Sequence, residues 1–369
     1  MTDEKDPHKN PMDNFNLEEF IIFFNQRIIN KEIILNRADN WKVDDRAPPT
    51  DIDHGEALPA RDYAREAILE PLDGVFLDDA LMDDIVVRTG IPDLFDGSPL
   101  QEREEANYSG VILYGPSGTG KTVLQKAICE VYRRAGAYSR EVSTSTINSA
   151  YVGQFARNLE QEFVKAVNEV RTREKPSFLS FDEASILAQR AVDGAVSVSK
   201  HYQEAMDVFK RYIGNHRELV VAISTNLLPE SFEEAMTREG RLTPFFIGYP
   251  GQEQRRRMWE YFLDRNALKG ALGEELTPER VEELASLTDG EQGALIEEFC
   301  RGYEGIRRAA ILRERGFRTL VEALKHETNV TPEQVHDSIN YAQLRSDLEV
   351  YLQSKQERNG QKKRIGFGN

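Results

Sequence analysis

Short apolar runs alternate with amphipathic stretches along the middle of the chain. Residues 111–114, 177–181 and 219–223 have the length and the β-branched or aromatic content of buried strands. Between the first two runs, apolar side chains recur at helical spacing over 123–132, and this pattern stops near Gly136. The alternation of strand and helix patterns favours an α/β core.

Other segments flank this core. Apolar residues at helical spacing over 15–35 predict a helix of about 20 residues, which either packs on the main domain or a neighbouring subunit, or docks a partner or substrate. Residues 36–60 are rich in Asp and Pro and predict a linker. Short helices are predicted near 63–69 and 80–89, and the basic, Gly-rich residues 362–369 predict a disordered tail or a docking peptide.

The composition limits the class of protein. The 369 residues are 40% hydrophobic, which is enough to build a core in each of about two or three domains. No apolar stretch approaches the ~18 residues of a membrane-spanning helix, and the charged start lacks a signal-peptide run, so we expect a cytoplasmic protein without a membrane partner. The net charge of −16 argues against general affinity for nucleic acid. Cys129 and Cys300 lie in helical patterns and are expected to be buried thiols.

A phosphate-binding loop follows the first apolar run. It matches G-x-x-x-x-G-K-T between a strand and a helix, which predicts a nucleoside triphosphate site. Its glycines let backbone N–H groups and a helix N-terminus point at the phosphates, while Lys121 reaches the β- and γ-phosphates and the Thr122 hydroxyl binds Mg²⁺. The predicted binding residues are Gly115, Pro116, Ser117, Gly118, Thr119, Gly120, Lys121 and Thr122.

Two adjacent carboxylates end the second apolar run. A strand that ends at Asp182 brings this residue to the Mg²⁺ shell, and Glu183 is then placed to act as the general base that activates the attacking water. An Asp-Glu pair without a preceding P-loop is more often a solvated turn. The third run leads to Asn226, which we expect beside Asp182 at the carboxyl edge of the sheet, where it would hold the water or the γ-phosphate.

This order of elements resembles the AAA clade of the AAA+ ATPase superfamily over residues 79–340, with Asn226 at the position called sensor 1. The resemblance implies ATP and Mg²⁺ as cofactors. It also implies an α/β parallel-sheet ATPase domain at 61–250 and a small α-helical lid domain at 251–345. The remaining segments are an N-terminal helix with its linker at 1–60, and the end of the last helix with a tail at 346–369.

Two segments resemble parts of the family that act between or beyond subunits. Arg238 and Arg241 are similar to the paired arginine fingers that enter a neighbouring subunit's nucleotide site, although such a pair on a loop is ordinarily a surface feature. The segment Tyr151, Val152 and Gly153 resembles pore loop 1, whose aromatic ring grips an extended polypeptide. The alternative for Tyr151 is a place in the core at a helix start.

In the lid, Gly293 and Ala294 match a family signature near the adenine. Gln292 and Leu295 depart from that signature, because a Ser and an Asp are usual at their positions. This departure concerns the contacts on the adenine side of the nucleotide.

The sequence therefore predicts an ATPase that forms a homo-oligomeric ring, expected to be a hexamer, and remodels, unfolds or disassembles a protein substrate by threading or pulling through a central pore. Two other functions stay open. One is an ATP-dependent activator or assembly chaperone of a specific enzyme, in the manner of Rubisco activases. The other is a nucleic-acid-associated ATPase, which the acidic charge and the pore tyrosine disfavour.

Overall fold

The computed structural model describes residues 64–95, 110–143, 154–184, 187, 200–232, 234–238, 241–317, 320–326 and 330–364. The predicted N-terminal helix and linker, and the predicted pore residues Tyr151, Val152 and Gly153, lie outside these ranges. The described residues divide into two compact units, one made of 64–261 with 288–296 and the other of 262–287 with 297–364.

A parallel sheet forms the centre of the first unit. Its five strands in the described residues are β1 Gly110–Tyr114, β2 Ser139–Ser143, β3 Ser177–Asp182, β4 Leu219–Thr225 and β5 Thr243–Phe246. Their spatial order is β2-β3-β4-β1-β5, and each pairing is parallel. Because the carboxyl ends of parallel strands share one edge, the segments that follow β1, β3 and β4 meet at that edge.

Helices connect these strands. The described helices of the unit are α1 Arg65–Leu69, α2 Asp79–Arg88, α3 Lys121–Arg134, α4 Gln154–Arg173, α5 Lys200–Asn215, α6 Glu234–Thr237 and most of α7 Gln252–Arg265. The side chain of Asp78 caps α2 by accepting hydrogen bonds from two backbone N–H groups of its first turn. Gly136 follows α3 with a φ of 75°, a left-handed angle that suits the end of a helix.

The sheet is buried on both faces. Alternate residues of each strand point to opposite sides, so β1 contributes Ile112 to one hydrophobic cluster, and Val111 and Leu113 to another. The first cluster packs against α4 and α5, and the second against α2 and α3. This double burial explains why β1, β3 and β4 are nearly continuous apolar runs in the sequence.

The second unit is helical. Its described elements are the end of α7, α8 Leu268–Leu272, α9 Pro278–Leu287, α10 Gly293–Glu314 from residue 297 onward, α11 Leu320–Lys325, α12 Pro332–Asp337 and α13 Tyr341–Arg364. Thr331 caps α12 by accepting from the Gln334 N–H at 3.3 Å, and the Gln334 side chain accepts in return from the Thr331 N–H at 3.2 Å. The last helix ends at Arg364, so it includes the first three residues of the basic segment 362–369.

A largely buried ion pair joins α10 to α13 in this unit. Arg307 lies 3.4 Å from an Asp347 carboxylate oxygen, and the Tyr303 hydroxyl donates to the same oxygen at 3.1 Å. Burial, and after it the Asp347 charge, raises the pKa of Tyr303. Tyr303 therefore remains a neutral donor across the physiological pH range.

The predicted fold class is confirmed, since a five-stranded parallel sheet with helices on both faces precedes a helical region. Within the described ranges, none of the helices combines the length and the apolar character that crossing a membrane requires.

Candidate active site

The phosphate-binding loop occupies residues 115–120, between the end of β1 and the start of α3. Gly115 has a φ of 142°, and a Cβ atom there would overlap the backbone carbonyl oxygen of Ile247. Gly118 has a φ of 76° and is exposed at the outer part of the loop. Both positions therefore require glycine, the first for a close backbone approach and the second for its left-handed backbone.

Lys121 is the first residue of α3 and is folded back against the loop. Its ammonium group donates to the carbonyl oxygens of Gly115 at 2.8 Å and Pro116 at 2.6 Å. Burial lowers the pKa of Lys121, while the nearby carboxylates of Asp182 and Glu183 oppose this shift. The positive charge thus lies beside the loop at a helix N-terminus, which is the arrangement that attracts phosphate.

Asp182, the last residue of β3, and the adjacent Glu183 lie next to this loop. The Thr122 hydroxyl donates to Asp182 Oδ1 at 3.0 Å, which joins the start of α3 to the end of β3. Hydroxyl and carboxylate oxygens are the hard ligands that Mg²⁺ prefers, and Mg²⁺ usually takes only one or two of them from protein beside the phosphates. Thr122 and Asp182 therefore fit the metal that accompanies a nucleotide.

A hydroxyl that the sequence analysis did not assign to the site completes this network. Ser224, near the end of β4, donates to Asp182 Oδ1 at 2.5 Å and accepts from the Glu183 N–H at 2.8 Å. Its carbonyl oxygen also accepts from the Ala184 N–H at 3.0 Å. The only sequence signal for Ser224 is its position two residues before Asn226, on the strand next to the acidic pair.

Asn226 follows β4 directly and is exposed. The register between β3 and β4 pairs Phe181 with Ile223, so the chain beyond these residues leaves the sheet at the same edge on both strands. Asn226 therefore lies at the edge of the sheet that carries the phosphate loop and the acidic pair.

The two candidate finger arginines lie elsewhere in the unit. Arg238 follows α6 and is exposed, and its carbonyl oxygen accepts from the Arg241 N–H at 3.0 Å. The Arg241 guanidinium lies against Gly214, near the end of α5. Because α5 ends shortly before β4 begins, Gly214 is near the edge where strands start, opposite the phosphate loop. The arrangement does not bring Arg241 to its own chain's phosphate loop.

The segment 288–296 belongs to the same compact unit as the phosphate loop. The exposed Gln292 side chain lies over the loop, where a Cβ atom on Gly118 would overlap its amide. Gly293 is buried against Met258 of α7, and Ala294 is exposed. Leu295, which departs from the family signature, is buried. Gln292 thus lies beside the loop, and Gly293 and Ala294 follow it in the chain.

Arg255 of α7 holds this segment in place. Its guanidinium pairs with Asp289 at 2.8 Å and donates to the Pro250 carbonyl oxygen at 2.7 Å, although the side chain is only 5% exposed. The indole N–H of Trp259 donates to the Thr288 hydroxyl at 3.3 Å. These contacts connect the chain that leaves β5 with the segment that reaches the phosphate loop, and the sequence alone did not indicate them.

A parallel sheet with a glycine loop, a lysine and a hydroxyl at one edge, and an Asp-Glu pair on the second strand away from β1, defines a P-loop nucleotide-binding protein. Residues 111–247 match the family described as ATPase family associated with various cellular activities (AAA). Residues 111–247 of this chain are therefore similar to an AAA ATPase domain.

Several curated proteins are similar to this chain. Proteasome-activating nucleotidase of Sulfurisphaera tokodaii is 29% identical over 60% of this chain and 54% of its own length. Spastin of Dictyostelium discoideum is 27% identical over 63% of this chain and 33% of its own length. Vacuolar protein sorting-associated protein 4A of Homo sapiens is 25% identical over 58% of this chain and 45% of its own length. The matched region thus spans about a third to a half of each relative.

Proposed function

We propose that this chain hydrolyses ATP and uses the energy to remodel a protein substrate. The observation that carries the proposal is the contact of Thr122 with Asp182 beside Lys121, with Glu183 as the next residue. In this reaction the oxygen of a water molecule bonds to the γ-phosphorus, the bond to the bridging oxygen of ADP breaks, and the proton of the water passes to Glu183. Mg²⁺, held by Thr122 and Asp182, would neutralise charge on the phosphates.

The proposed assembly is a homo-oligomeric ring, and we expect a hexamer. Its support is the separation of Arg241 from its own phosphate loop, which suits a guanidinium that acts on the nucleotide of a neighbouring subunit. Asn226 at the sheet edge is proposed to hold the attacking water. The relatives named for proteasome activation and for vacuolar protein sorting make a protein substrate the first choice.

The predicted pore residues 151–153 are proposed to contact the protein substrate. Tyr151 is proposed to grip an extended polypeptide in the central channel, with Val152 and Gly153 shaping the loop. Changes at Tyr151 should then affect substrate remodelling and leave ATP hydrolysis in place. Tyr151→Ala should keep the ATPase rate within a few-fold and abolish remodelling, whereas Tyr151→Phe should keep both because the ring supplies the contact.

The test uses substrates captured on a Glu183→Gln ring, which should bind ATP without hydrolysing it. The captured protein, identified by mass spectrometry, is then offered to the wild-type, Tyr151→Ala and Tyr151→Phe rings, and loss of its folded signal is followed beside ATPase rate, melting temperature and ring size. A core tyrosine gives a different result, because truncation of a buried aromatic costs about 3–5 kcal/mol and would lower the melting temperature and the ring size of Tyr151→Ala. That result, or remodelling by an intact Tyr151→Ala ring, would refute the pore function.

A further inference from the structure

The hydroxyl of Ser224 lies between the two acidic residues of the candidate site. Ser224 is 2% exposed, and both the donor and the acceptor capacity of its hydroxyl are used within the site. The proton goes to Asp182 Oδ1, and the oxygen accepts the Glu183 N–H. A buried serine without a role in the site needs only one partner for its hydroxyl proton, and a backbone carbonyl is enough. Ser177 is an example, since its hydroxyl donates to the Ala166 carbonyl oxygen at 2.8 Å.

The backbone at Glu183 is held in a conformation that a glutamate rarely adopts. Its φ is 49°, in the left-handed region that disfavours residues with a Cβ atom. The Glu183 N–H is shared between Asp182 Oδ1 at 3.0 Å and Ser224 Oγ at 2.8 Å, and the next N–H bonds to the Ser224 carbonyl oxygen. Ser224 thus contributes two of the three acceptors that hold this conformation.

The Asp182 carboxylate is oriented by the same group. Its Oδ1 accepts from the hydroxyls of Thr122 and Ser224 and from the Glu183 N–H. Donors from α3, from β4 and from the next residue of the backbone therefore fix the rotation of the carboxylate. Loss of the Ser224 hydroxyl would leave the Glu183 N–H with one acceptor fewer, and Asp182 with one restraint fewer.

We propose that Ser224 is a positioning residue for ATP hydrolysis, which sets the rotation of the Asp182 carboxylate and the backbone angle from which the Glu183 side chain extends. The inference rests on the proposed ATPase function. Ser224 touches neither water nor nucleotide in this scheme, and it acts through the two acidic residues. Small displacements of a general base lower turnover strongly, by about a hundredfold for an error near 1 Å.

The test compares Ser224→Ala with Ser177→Ala, a matched change of a buried, hydrogen-bonded serine at the far end of β3. Ser224→Ala should lower kcat at least tenfold, leave the affinity for a non-hydrolysable ATP analogue within twofold in the absence of Mg²⁺, and raise the Mg²⁺ concentration that half-saturates the analogue-bound state. Ser177→Ala should lower the melting temperature by about as much as Ser224→Ala does. It should change kcat, the affinity for the analogue and the half-saturating Mg²⁺ concentration by no more than twofold. Equal losses of kcat in the two variants would overturn the inference.

Two further variants keep the test decisive. Ser224→Cys keeps a small side chain, slightly larger than that of serine, and replaces the hydroxyl with a weak hydrogen-bonding thiol, so it should fold and show a loss of kcat close to that of Ser224→Ala. Ser224→Ala added to Glu183→Gln should lower the residual rate less than it lowers the wild-type rate, because residues that act as a unit are not additive. A Ser224→Cys protein with full kcat, or additive losses, would overturn the inference. A wild-type protein that does not hydrolyse ATP would instead refute the proposed function itself.

Discussion

At the scale of single residues, the proposed function assigns nucleotide binding and turnover to different side chains. Lys121 supplies charge beside the phosphate loop, whereas Glu183 is proposed as the base, which would act only during the reaction. Lys121→Ala should weaken ATP binding about 10–100-fold, because it removes a charged hydrogen-bond donor. Glu183→Gln should keep binding and lower kcat about 10²–10⁴-fold. Equilibrium binding of ATP and steady-state turnover, measured on both variants, separate the two effects.

The exposed lysine of the same helix provides the control for this pair. Lys126→Ala also removes one positive charge from α3, but its side chain points to solvent, so its binding and turnover should match the wild type. Parental turnover in Glu183→Gln would show that another group activates the water. A loss of binding in Lys126→Ala equal to that in Lys121→Ala would mean that net charge alone controls affinity.

The residues that the sequence predicts best are those that a local motif contains. The phosphate loop is a contiguous pattern, so its glycines, Lys121 and Thr122 are visible without a fold. Ser224 and Gln292 lie against residues that are distant along the chain, Asp182 for the first and Gly118 for the second. A serine before a strand end or a glutamine in a loop has no distinctive pattern, and only the folded chain brings these pairs together.

At the scale of elements, the buried strands are predictable and the edge strands are not. The central strands β1, β3 and β4 are covered on both faces and are therefore almost continuously apolar. The edge strand β2 reads Ser-Arg-Glu-Val-Ser, and the other edge strand β5 is four residues long and contains Pro244. Polar residues and proline are tolerated at the edges of sheets, so neither segment carries the pattern of a buried strand.

The ion pair between α10 and α13 makes a prediction about the stability of the helical unit. Asp347→Ala leaves Arg307, 6% exposed, without its carboxylate, and should lower the free energy of unfolding by about 3–5 kcal/mol. Glu349 on the same helix pairs with Arg345 at the surface, so Glu349→Ala should cost less than about 0.5 kcal/mol. Urea denaturation followed by circular dichroism measures both values. If Asp347→Ala lowered the free energy of unfolding as little as Glu349→Ala, Arg307 would have to bind water or another acceptor once Asp347 is removed.

At the scale of the whole molecule, the proposed ring places the catalytic groups of one nucleotide site on two subunits. Arg238→Ala and Arg241→Ala should each leave ATP binding nearly intact and lower hydrolysis about 10³–10⁵-fold, the range known for arginine fingers. Arg171→Ala, an exposed change on α4, should retain the wild-type rate. Subunits with Arg238→Ala, mixed with subunits with Glu183→Gln, should regain activity where an intact Glu183 faces an intact finger.

Mixing is informative only in rings that exchange subunits, which a fluorescence exchange assay establishes first. A flat activity curve across all mixing ratios in exchanging rings would contradict action between subunits. The sequence pattern alone indicates Arg238 and Arg241, and the fold adds that Arg241 lies towards the edge of the sheet opposite its own phosphate loop.

The left-handed backbone at Glu183, with a φ of 49°, has a consequence for the evolution and engineering of this protein. A glutamate in that region costs roughly 1–2 kcal/mol, whereas glycine or asparagine occupies it readily. A library screened for heat resistance would therefore enrich Glu183→Gly and Glu183→Asn, and those clones would lack the carboxylate that is proposed as the general base. Selection for thermal stability and selection for turnover would therefore favour different residues at position 183.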